Sequence, residues 1–367
     1  MYIHESKDWP KFKWDQAKLA ELLAEVRHRQ GRLLGRMEGL GFQLRGEATL
    51  TTLTQDVIKT TEIEGEKLDP EQVRSSIARR LGMDVGGSPR IGRDVEGIVE
   101  VMLDATGKSA APLSDVRLFG WHAALFPTGR SGMQAIVVGG WRTASSGAMQ
   151  VVSGPLGREK VHYEAPAADR LKKEMAAFTH WFNGAPVTDL VVKSALAHFW
   201  FVTIHPFEDG NGRIARALAD LLLARAEKSA QRFYSMSSQI QQERNAYYAV
   251  LEKSQKGTLD ITPWVEWYLN CLQHAIAASE KMLEAVLVKA RFWEAQAGQS
   301  LNERQRTVIN RLLDGFEGKL TSSKWAKLTK CSQDTALRDI SDLLERQILT
   351  KDEAGGRSTS YRLQVPK

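Results

Sequence analysis

The sequence is poor in cysteine and has no long apolar run. Cys271 and Cys331 are the two cysteines in 367 residues, and their wide separation excludes the close cysteine pairs of zinc sites. The apolar stretch before His205 is too short to cross a bilayer, and the N-terminal residues MYIHESKD lack the apolar core of a signal peptide. We therefore expect a cytoplasmic protein with free thiols and no contact with a membrane.

The sequence also lacks a strong charge imbalance. It has 50 basic and 44 acidic residues, a formal net charge of +6, which does not by itself indicate binding to nucleic acid. Hydrophobic residues make up 43% and charged residues 26%, an ordinary balance for a globular chain with a sizeable core. The length favours two or three domains.

The segment His205–Arg216, HPFEDGNGRIAR, is the most unusual stretch of the chain. An apolar helical pattern runs up to His205, and Pro206 cannot continue it because proline lacks the N–H group and clashes with the preceding turn. Gly210 and Gly212 can adopt backbone angles that other residues avoid. Apolar residues then recur at helical spacing, so a second helix is predicted to begin near Gly212.

This arrangement suits a nucleoside triphosphate. A loop that enters a helix N-terminus directs free N–H groups at one point, which favours an anion. Arg213 and Arg216 are three positions apart and would lie together on the helix, where their guanidinium groups match phosphate oxygens. Asp209 is an oxygen ligand of the kind that Mg²⁺ takes, and His205 is a candidate general base. The alternative is a helix–loop–helix with a buried histidine and two solvated arginines, which the combined spacing disfavours.

The segment resembles the signature of the Fic family, His-Pro-Phe-x-(Asp/Glu)-Gly-Asn-Gly-Arg-x-x-Arg, without a departure. Most members of that family move AMP from ATP to a side-chain hydroxyl of a target protein. The resemblance implies that His205 deprotonates the target hydroxyl. It also implies that Asp209 holds Mg²⁺ on the α- and β-phosphates.

The resemblance further implies how the phosphates would be bound. Asn211 and the N–H groups of the loop that includes Gly210 and Gly212 would bind the α- and β-phosphates. Arg213 would stabilise the leaving pyrophosphate, and Arg216 would hold the γ-phosphate.

A second segment, between Ala48 and Gly65, predicts a helix that ends in a carboxylate. Glu64 falls at the end of this helix on the side that otherwise packs inward, where the carboxylate meets the negative end of the helix dipole and loses water. It therefore needs a cation, unless the helix end is frayed and solvated. The residues TTEIEG resemble the inhibitory motif of the Fic family, (Ser/Thr)-x-x-x-Glu-(Gly/Asn), in which the glutamate pairs with the second arginine of the signature. The resemblance implies self-inhibition through a pair of Glu64 with Arg216, in the class with an N-terminal inhibitory helix.

Between residues 128 and 165 the glycine content rises and the helical period fails. Short β-like runs at 134–138, 150–152 and 161–163 predict one or two hairpins. In the Fic family a hairpin called the flap holds an extended segment of the target over the active site. The resemblance assigns this role to Val161, His162 and Tyr163. A plain surface hairpin is the alternative.

Three further residues match positions that line the adenosine pocket in Fic proteins: Tyr247, Tyr248 and Gln255. Many members have asparagine where Gln255 stands, and a packing role for both tyrosines is an equal alternative. His122 is flanked by apolar residues and is expected to be a core histidine rather than a catalytic one.

The last part of the chain, 300–367, predicts a small separate domain. Helical patterns cover 302–313, 321–328 and 332–346. A strand–turn–strand pattern follows, with Gly355 and Gly356 in the turn. Three helices and a hairpin are typical of a winged helix-turn-helix.

The predicted recognition helix of this domain carries more acid than base. Its charged residues include Asp334, Arg338, Asp339, Asp342, Glu345 and Arg346. Such a face repels phosphates, although Lys351, Arg357 and Arg362 on the wing are better placed to contact them. We expect a protein-docking or homodimer contact here, with DNA binding as the less favoured alternative.

Together these patterns predict a mainly α chain. We expect an N-terminal helical module (1–110), a second helical domain (111–295) and a winged helix-turn-helix domain (300–367). The resemblance implies that the first contains an inhibitory helix at about 48–65 and that the second is a Fic domain with a β-hairpin flap. The expected activity is self-inhibited transfer of AMP from ATP with Mg²⁺, to an unidentified target protein. Transfer from another nucleotide, removal of AMP, and a DNA-binding regulator that senses ATP are the alternatives.

Overall fold

Helices make up most of the computed structural model of this chain. The structure describes residues 1–83, 91–154, 158–186, 188–313, 316, 318–352 and 359–364. The glycines and proline at 86–89 predict a break between two helices, but these residues lie outside this range, as do the wing residues Gly355, Gly356 and Arg357. Among the helices described, none is both long enough and apolar enough to cross a bilayer.

The described residues form the following helices and strands, given in chain order. The helices are α1 (Gln16–Glu38), α2 (Phe42–Ile63), α3 (Pro70–Arg80), α4 (Arg93–Gly107), α5 (Asp115–Leu125), α6 (Leu171–Asn183), α7 (Leu190–Ile204), α8 (Asn211–Glu227), α9 (Met236–Gln242), α10 (Arg244–Gln255), α11 (Thr262–Ala295), α12 (Glu303–Leu313), α13 (Ser322–Thr329) and α14 (Gln333–Glu345). The strands are β1 (Arg130–Ser131), β2 (Gln134–Ala135), β3 (Gln150–Ser153), β4 (Lys160–Glu164), β5 (Leu349–Lys351) and β6 (Tyr361–Leu363). They form three antiparallel pairs, β1–β2, β3–β4 and β5–β6.

The chain divides into two units, Met1–Ser279 and Glu280–Lys367. The centre of the first unit is α7, in which every residue from Val191 to Ile204 is buried. A helix that is apolar on all sides is stable only inside a core. Helix α8 packs against α7 and is itself mostly buried. The short loop between these two helices, 205–210, is therefore held at both ends by the core.

Helix α2 is longer than the sequence pattern predicted. It begins at Phe42 rather than near Ala48, and Gly41 is its N-cap residue. The apolar spacing did not reveal the start of the helix because Gly46, a weak helix former, lies between Phe42 and Ala48. The end of the helix agrees with the prediction, since Glu64 is the C-cap residue and Gly65 follows with φ of 87°.

A buried polar network fastens α2 to α8. Asp56, in the middle of α2, accepts hydrogen bonds from the Ser235 hydroxyl and from the Ser237 N–H group at 3.2 Å. On α8, Asp220 accepts a hydrogen bond of 2.9 Å from Arg232. Burial, together with the charge of Asp56, raises the pKa of Asp220 well above its ordinary value. The shift favours the neutral form of Asp220, which reduces its repulsion with the Asp56 carboxylate.

Two predicted elements differ from the structure in detail. Helical spacing predicts one helix over 241–251, but the structure is interrupted at Glu243, which lies between the end of α9 and the start of α10. The β-like run at 134–138 forms a strand at Gln134–Ala135 alone. Beyond it, the Val137 N–H donates to the Glu208 carboxylate at 2.9 Å, so a side chain replaces the strand partner.

The second unit contains the predicted three helices and hairpin. Its core is built around Trp325, Ile340 and Leu343. On α14, Asp339 is buried and accepts hydrogen bonds of 2.7 Å from the Arg304 Nε atom and 2.8 Å from the Asn302 amide. Asp339 therefore faces α12, and the outer face of α14 is less acidic than the sequence indicated.

Glycine is required where α4 meets α5. A Cβ atom at Gly97 would lie 1.8 Å from the Ala124 carbonyl oxygen, whereas one at Gly107, in the same helix, would meet nothing within 4 Å. We expect Gly97→Ala to lower the free energy of unfolding by about 1–3 kcal/mol, as overpacking does. Gly107→Ala should leave it unchanged or raise it, because alanine is the better helix former. Thermal unfolding of both variants measures this, and equal melting temperatures would contradict the packing described.

Candidate functional site

His205 lies at the point where α7 ends. Its N–H donates to the Phe201 carbonyl at 2.9 Å, and its φ and ψ angles of 52° and 58° are left-handed. A side chain in this conformation costs about 1–2 kcal/mol, so the surrounding contacts must hold it. Because Pro206 follows, the chain leaves the helix and enters the loop at this residue.

The imidazole of His205 is oriented as a base. Its Nδ1 atom lies 3.1 Å from the Val202 carbonyl oxygen, to which it must donate a proton. In the neutral ring the Nε2 atom is then the free acceptor. Burial lowers the pKa of His205 below its ordinary value of 6.5, although the Val202 carbonyl and the carboxylates of Glu64 and Asp209 act in the opposite direction. His205 is therefore neutral at pH 7 and can accept a proton.

Asn211 fixes the shape of the loop. Its side-chain oxygen accepts from the Phe207 N–H at 3.0 Å, and its amide nitrogen donates to the Phe207 carbonyl at 2.8 Å. The side chain is buried and is used by these two bonds. Gly210, with φ of 79°, turns the chain into α8, and a Cβ atom there would lie 2.9 Å from the Phe126 ring.

The first turn of α8 forms a candidate anion site. The first N–H group bonded within the helix is that of Ile214, which donates to the Gly210 carbonyl at 3.0 Å. The N–H groups of Asn211, Gly212 and Arg213 precede it and point out of the helix end, where the helix dipole adds a positive potential. The structure therefore brings the predicted phosphate-binding residues together at one helix end.

Arg216 lies one turn further along α8 and is buried. Its Nε and Nη2 atoms donate to the hydroxyl and carbonyl of Thr60 at 2.6 and 2.9 Å, and Nη2 also donates to the Glu64 carboxylate at 2.6 Å. Burial opposes the charge, but Glu64 raises the pKa of Arg216 above its ordinary value. The Nη1 atom has no partner among the described residues. An unpaired guanidinium nitrogen in a buried site is suited to a further anion.

Glu64 occupies the anion site itself. A Cβ atom at Gly212 would lie 2.3 Å from a carboxylate oxygen of Glu64 and 3.2 Å from the Arg216 Nη1 atom. The carboxylate thus lies directly over the first turn of α8 and against the second arginine of the signature. The ion pair predicted from the sequence is present in the structure, and Thr60 of the same motif binds the same guanidinium.

Arg213 is matched by another carboxylate, which sequence reasoning did not single out. Its Nη1 atom lies 3.2 Å from Glu66, and its guanidinium carbon lies 5.1 Å from the centre of the Phe126 ring. The Nε atom of Arg213 has no partner among the described residues. Because the Glu66 side chain is 54% exposed, this pair is better screened by water than the Glu64 pair.

Asp209 is partly exposed beside the anion site. Its Oδ1 atom accepts from the Gly210 N–H, and its Oδ2 atom accepts from the Ser131 hydroxyl. No group of three or more metal-binding side chains occurs among the described residues. A single carboxylate beside a phosphate site still fits Mg²⁺, since that ion is commonly held by one carboxylate together with phosphates and water. Ser131 is a contact of Asp209 that no sequence pattern indicated.

The predicted flap is a hairpin of β3 and β4 with a bulge opposite Val151 and Val152. Val161 is exposed on it. His162 bonds on both ring nitrogens, 2.6 Å from Ser153 and 2.6 Å from Glu252. Tyr163 is buried and donates to the Thr203 carbonyl at 2.7 Å. Tyr163 therefore anchors the hairpin to α7, and its side chain does not face a docked segment.

The residues predicted for the adenosine pocket are not all at one surface. Tyr248 is 39% exposed, and the Arg244 guanidinium lies 5.4 Å from its ring centre. Tyr247 is buried and its hydroxyl lies 2.9 Å from His198. Gln255 is buried and donates to the Thr203 hydroxyl at 3.3 Å. Tyr248 thus reaches the surface, whereas the side chains of Tyr247 and Gln255 are directed at α7.

His122 supports the loop from behind. It is buried, its ring stacks on Phe207 at 4.1 Å, and its Nε2 atom lies 3.2 Å from the Asp209 carbonyl. Burial lowers the pKa of His122 to about 4. A neutral, bonded core histidine agrees with the sequence prediction.

The comparisons with known proteins identify the domain that holds this site. Residues 112–223 match the family model described as Fic/DOC family, and residues 2–83 match one described as a domain of unknown function, DUF4172. The chain is 35% identical over 115 residues to the protein adenylyltransferase Fic of Nematostella vectensis. The matched residues are 31% of this chain and 25% of that relative. Residues 112–223 therefore match the Fic/DOC family, and the resemblance seen in the sequence is confirmed for this domain. The chain spans about a quarter of the length of that curated relative.

Two solved structures show the same fold. A Fic family protein from Desulfovibrio desulfuricans G20 superimposes with a TM-score of 0.53, at 23% identity, over 94% of this chain and 95% of that chain. A Fic domain containing signaling protein from Bacteroides thetaiotaomicron gives a TM-score of 0.52, at 17% identity, over 71% of this chain and 98% of that chain. The mainly α Fic-type fold is therefore confirmed.

The carboxylates of Glu64 and Glu66 should lower the affinity for ATP to different extents. A hydrogen bond to a charged group contributes about 1.5–3 kcal/mol, roughly ten- to hundredfold in affinity. An exposed ion pair contributes about 0.2–1 kcal/mol, at most about fivefold. We expect Glu64→Ala to increase the affinity for Mg²⁺-ATP about tenfold or more, and Glu66→Ala to increase it about fivefold at most. Isothermal calorimetry measures both.

Glu62→Ala is the matched control for this comparison. Glu62 lies in the same helix turn but pairs with Lys59 at 2.7 Å, away from both arginines. It should leave the affinity for ATP unchanged. Equal affinities for the Glu64 and Glu62 variants would contradict the position assigned to Glu64.

Proposed function

We propose that this chain is a self-inhibited protein AMP transferase, which moves AMP from ATP to a Ser, Thr or Tyr hydroxyl of a target protein. The observation that carries the proposal is the Glu64 carboxylate over the first turn of α8, bonded at 2.6 Å to the buried Arg216. A carboxylate in this position marks a site that is shaped for an anion. Its neighbours are a neutral histidine and a single aspartate, which are the groups that phosphoryl chemistry needs.

In the proposed reaction the target hydroxyl oxygen attacks the α-phosphorus of ATP. The new bond joins that oxygen to the α-phosphorus, and the bond between the α-phosphorus and the oxygen bridging to the β-phosphate breaks. The hydroxyl proton passes to the Nε2 atom of His205, and pyrophosphate leaves. His205 can serve this role because its Nδ1 atom is fixed on the Val202 carbonyl.

The remaining site residues bind the nucleotide. The N–H groups at the start of α8 would contact the α- and β-phosphates, and Asn211 would preserve the loop that aims them. Arg213 lies beside Asp209, at 4.0 Å, and would bind the departing pyrophosphate. Asp209 would hold the Mg²⁺ that accompanies ATP, which neutralises phosphate charge when bound. Tyr248 would border the adenosine.

Inhibition follows from competition for Arg216. The γ-phosphate and the Glu64 carboxylate both require this guanidinium, and the carboxylate is already bonded there. ATP would then bind without its γ-phosphate contact and without a fixed α-phosphate. Relief of this inhibition requires that the Glu64 carboxylate leave the first turn of α8.

The flap hairpin supports a protein target. Val152 and Val161 pair across β3 and β4, and their side chains are 47% and 38% exposed. Hairpin backbone groups can pair with an extended segment with little dependence on its sequence, which is the usual mode of strand addition. An apolar pair of this kind would contact the side chains of such a segment.

The transfer activity is tested with a released enzyme. Glu64→Gly should label itself or lysate proteins with AMP from tagged ATP at least tenfold more than the unaltered chain. Glu64→Gly combined with His205→Ala should reduce labelling by about 10²–10⁴-fold, as loss of a general base does, while ATP binding is retained. Mass spectrometry of the modified residues measures both.

The choice of donor separates the proposal from its rivals. Labelling of the Glu64→Gly protein from GTP or CTP in preference to ATP would replace ATP as the donor. Loss of AMP from a previously modified target would instead indicate AMP removal. Equal labelling by the Glu64→Gly and the unaltered protein would refute the inhibition by Glu64.

The pH dependence of transfer reports the state of His205. Because burial lowers the pKa of His205 below 6.5, the imidazole stays unprotonated as the pH falls toward that value. The transfer rate of the Glu64→Gly enzyme should therefore be constant above pH 6.5 and decline at lower pH, as the base becomes protonated. A rate that is still rising between pH 7 and 8 would contradict this.

A further inference from the structure

Arg142 lies in the segment between β2 and β3 and is 4% exposed. Its Nε atom donates to the carbonyl of His205 at 2.8 Å, and its Nη2 atom donates to the carbonyl of Pro166. Its backbone N–H donates to the carbonyl of Pro206 at 2.9 Å. One residue therefore bonds to the two successive carbonyl groups, those of His205 and Pro206, through which the chain leaves α7.

These hydrogen bonds are made to backbone carbonyl groups at the C-terminal end of α7. Carbonyl groups at a helix C-terminus lack partners within the helix, and the dipole there favours a cation. His205 is held in a left-handed conformation, with φ of 52°, which persists only when neighbouring contacts fix it. Since the imidazole rotates with this backbone, the guanidinium of Arg142 sets the direction in which the base points.

The bond to Pro166 reaches the flap hairpin. Strand β4 ends at Glu164, and Ala165 continues the pairing through its N–H, which donates to the Met149 carbonyl at 2.9 Å. Pro166 is the next residue. The guanidinium of Arg142 thus links the end of the flap hairpin, where the target would dock, to the backbone of His205, which would accept the proton of the target hydroxyl.

Arg142 also carries a charge next to the imidazole. The charged groups that act on His205 are Arg142, which favours the neutral ring, and Glu64 and Asp209, which favour the protonated ring. Tyr163, the remaining titratable neighbour of Arg142, is buried with its pKa raised well above its ordinary value, and is neutral. Removal of the arginine charge should therefore shift the titration of His205 to higher pH.

We propose that Arg142 is a positioning residue, which orients His205 and couples it to the flap hairpin. This inference rests on the proposed transferase function. It differs from a purely structural role because it predicts changes in the base itself, beyond a loss of stability.

The test compares Arg142→Lys and Arg142→Gln in the Glu64→Gly protein. Lysine keeps the charge but loses the planar pair of donors, whereas glutamine loses the charge. We expect both variants to bind Mg²⁺-ATP within about threefold of the parent and to transfer AMP at least tenfold more slowly. The pH midpoint of transfer should rise for the glutamine variant and stay unchanged for the lysine variant.

Arg225→Gln is the matched control. Arg225 also donates to two backbone carbonyls, those of Ser109 and Ala111, and burial lowers its pKa as it does for Arg142. Its loss should lower the melting temperature without a change in the pH midpoint. If Arg142→Gln behaves like Arg225→Gln, with an unchanged midpoint, or transfers AMP at the parent rate, the inference is wrong.

Titration of the His205 ring by NMR separates this inference from the proposed function. It gives the pH midpoint for protonation of the His205 imidazole in each variant and does not require a transfer reaction. An upward shift in Arg142→Gln supports the positioning role even if the parent does not use ATP, and an unchanged midpoint overturns it. If the glutamine variant does not fold, the Arg142→Lys variant decides, since an unchanged transfer rate in that protein also overturns the proposal.

Discussion

The structure depends on the buried positive charge of Arg216, which requires a partner of opposite charge. Arg216 is 2% exposed, so its guanidinium must be matched by acceptors from the protein or by an anion. Thr60, in the last turn of α2, supplies two acceptors, and Glu64, the C-cap residue of the same helix, supplies the compensating charge. This requirement joins the N-terminal helical region to the signature.

The sequence predicted the parts of the site that lie close together in the chain. The twelve residues of the signature fixed the helix end at His205, the turn at Gly210 and the arginines of α8, because local rules on proline, glycine and helical spacing govern each of them. For Glu64, the helix end indicated only that the carboxylate needs a cation, and its pairing with Arg216 was predicted from the resemblance to the Fic inhibitory motif. The structure brings these two residues together.

The remaining features depend on contacts between distant segments. Arg142, Ser131 and Glu66 carry no motif of their own, and only the folded chain places them against the loop. Gln255 matched a family position, yet its side chain bonds to Thr203 because α10 turns it toward α7. The burial of Asp339 likewise needed the neighbouring α12 to be known. A charged residue on a predicted helix face does not reveal which other helix will cover it.

The attachment of α2 to α8 at its middle has a consequence for how the enzyme would be switched on. Asp56 and the Asp220 pair secure the helix more than a turn before its end, whereas the carboxylate that fills the site follows its last residue. Unwinding of that final turn alone would vacate the pocket, while the rest of the helix stayed in place. In the proposed self-inhibited enzyme, an activating ligand or partner would therefore need to offset the contacts of this turn alone, among them those of the buried side chains of Thr60 and Ile63, while the middle of α2 stayed in place.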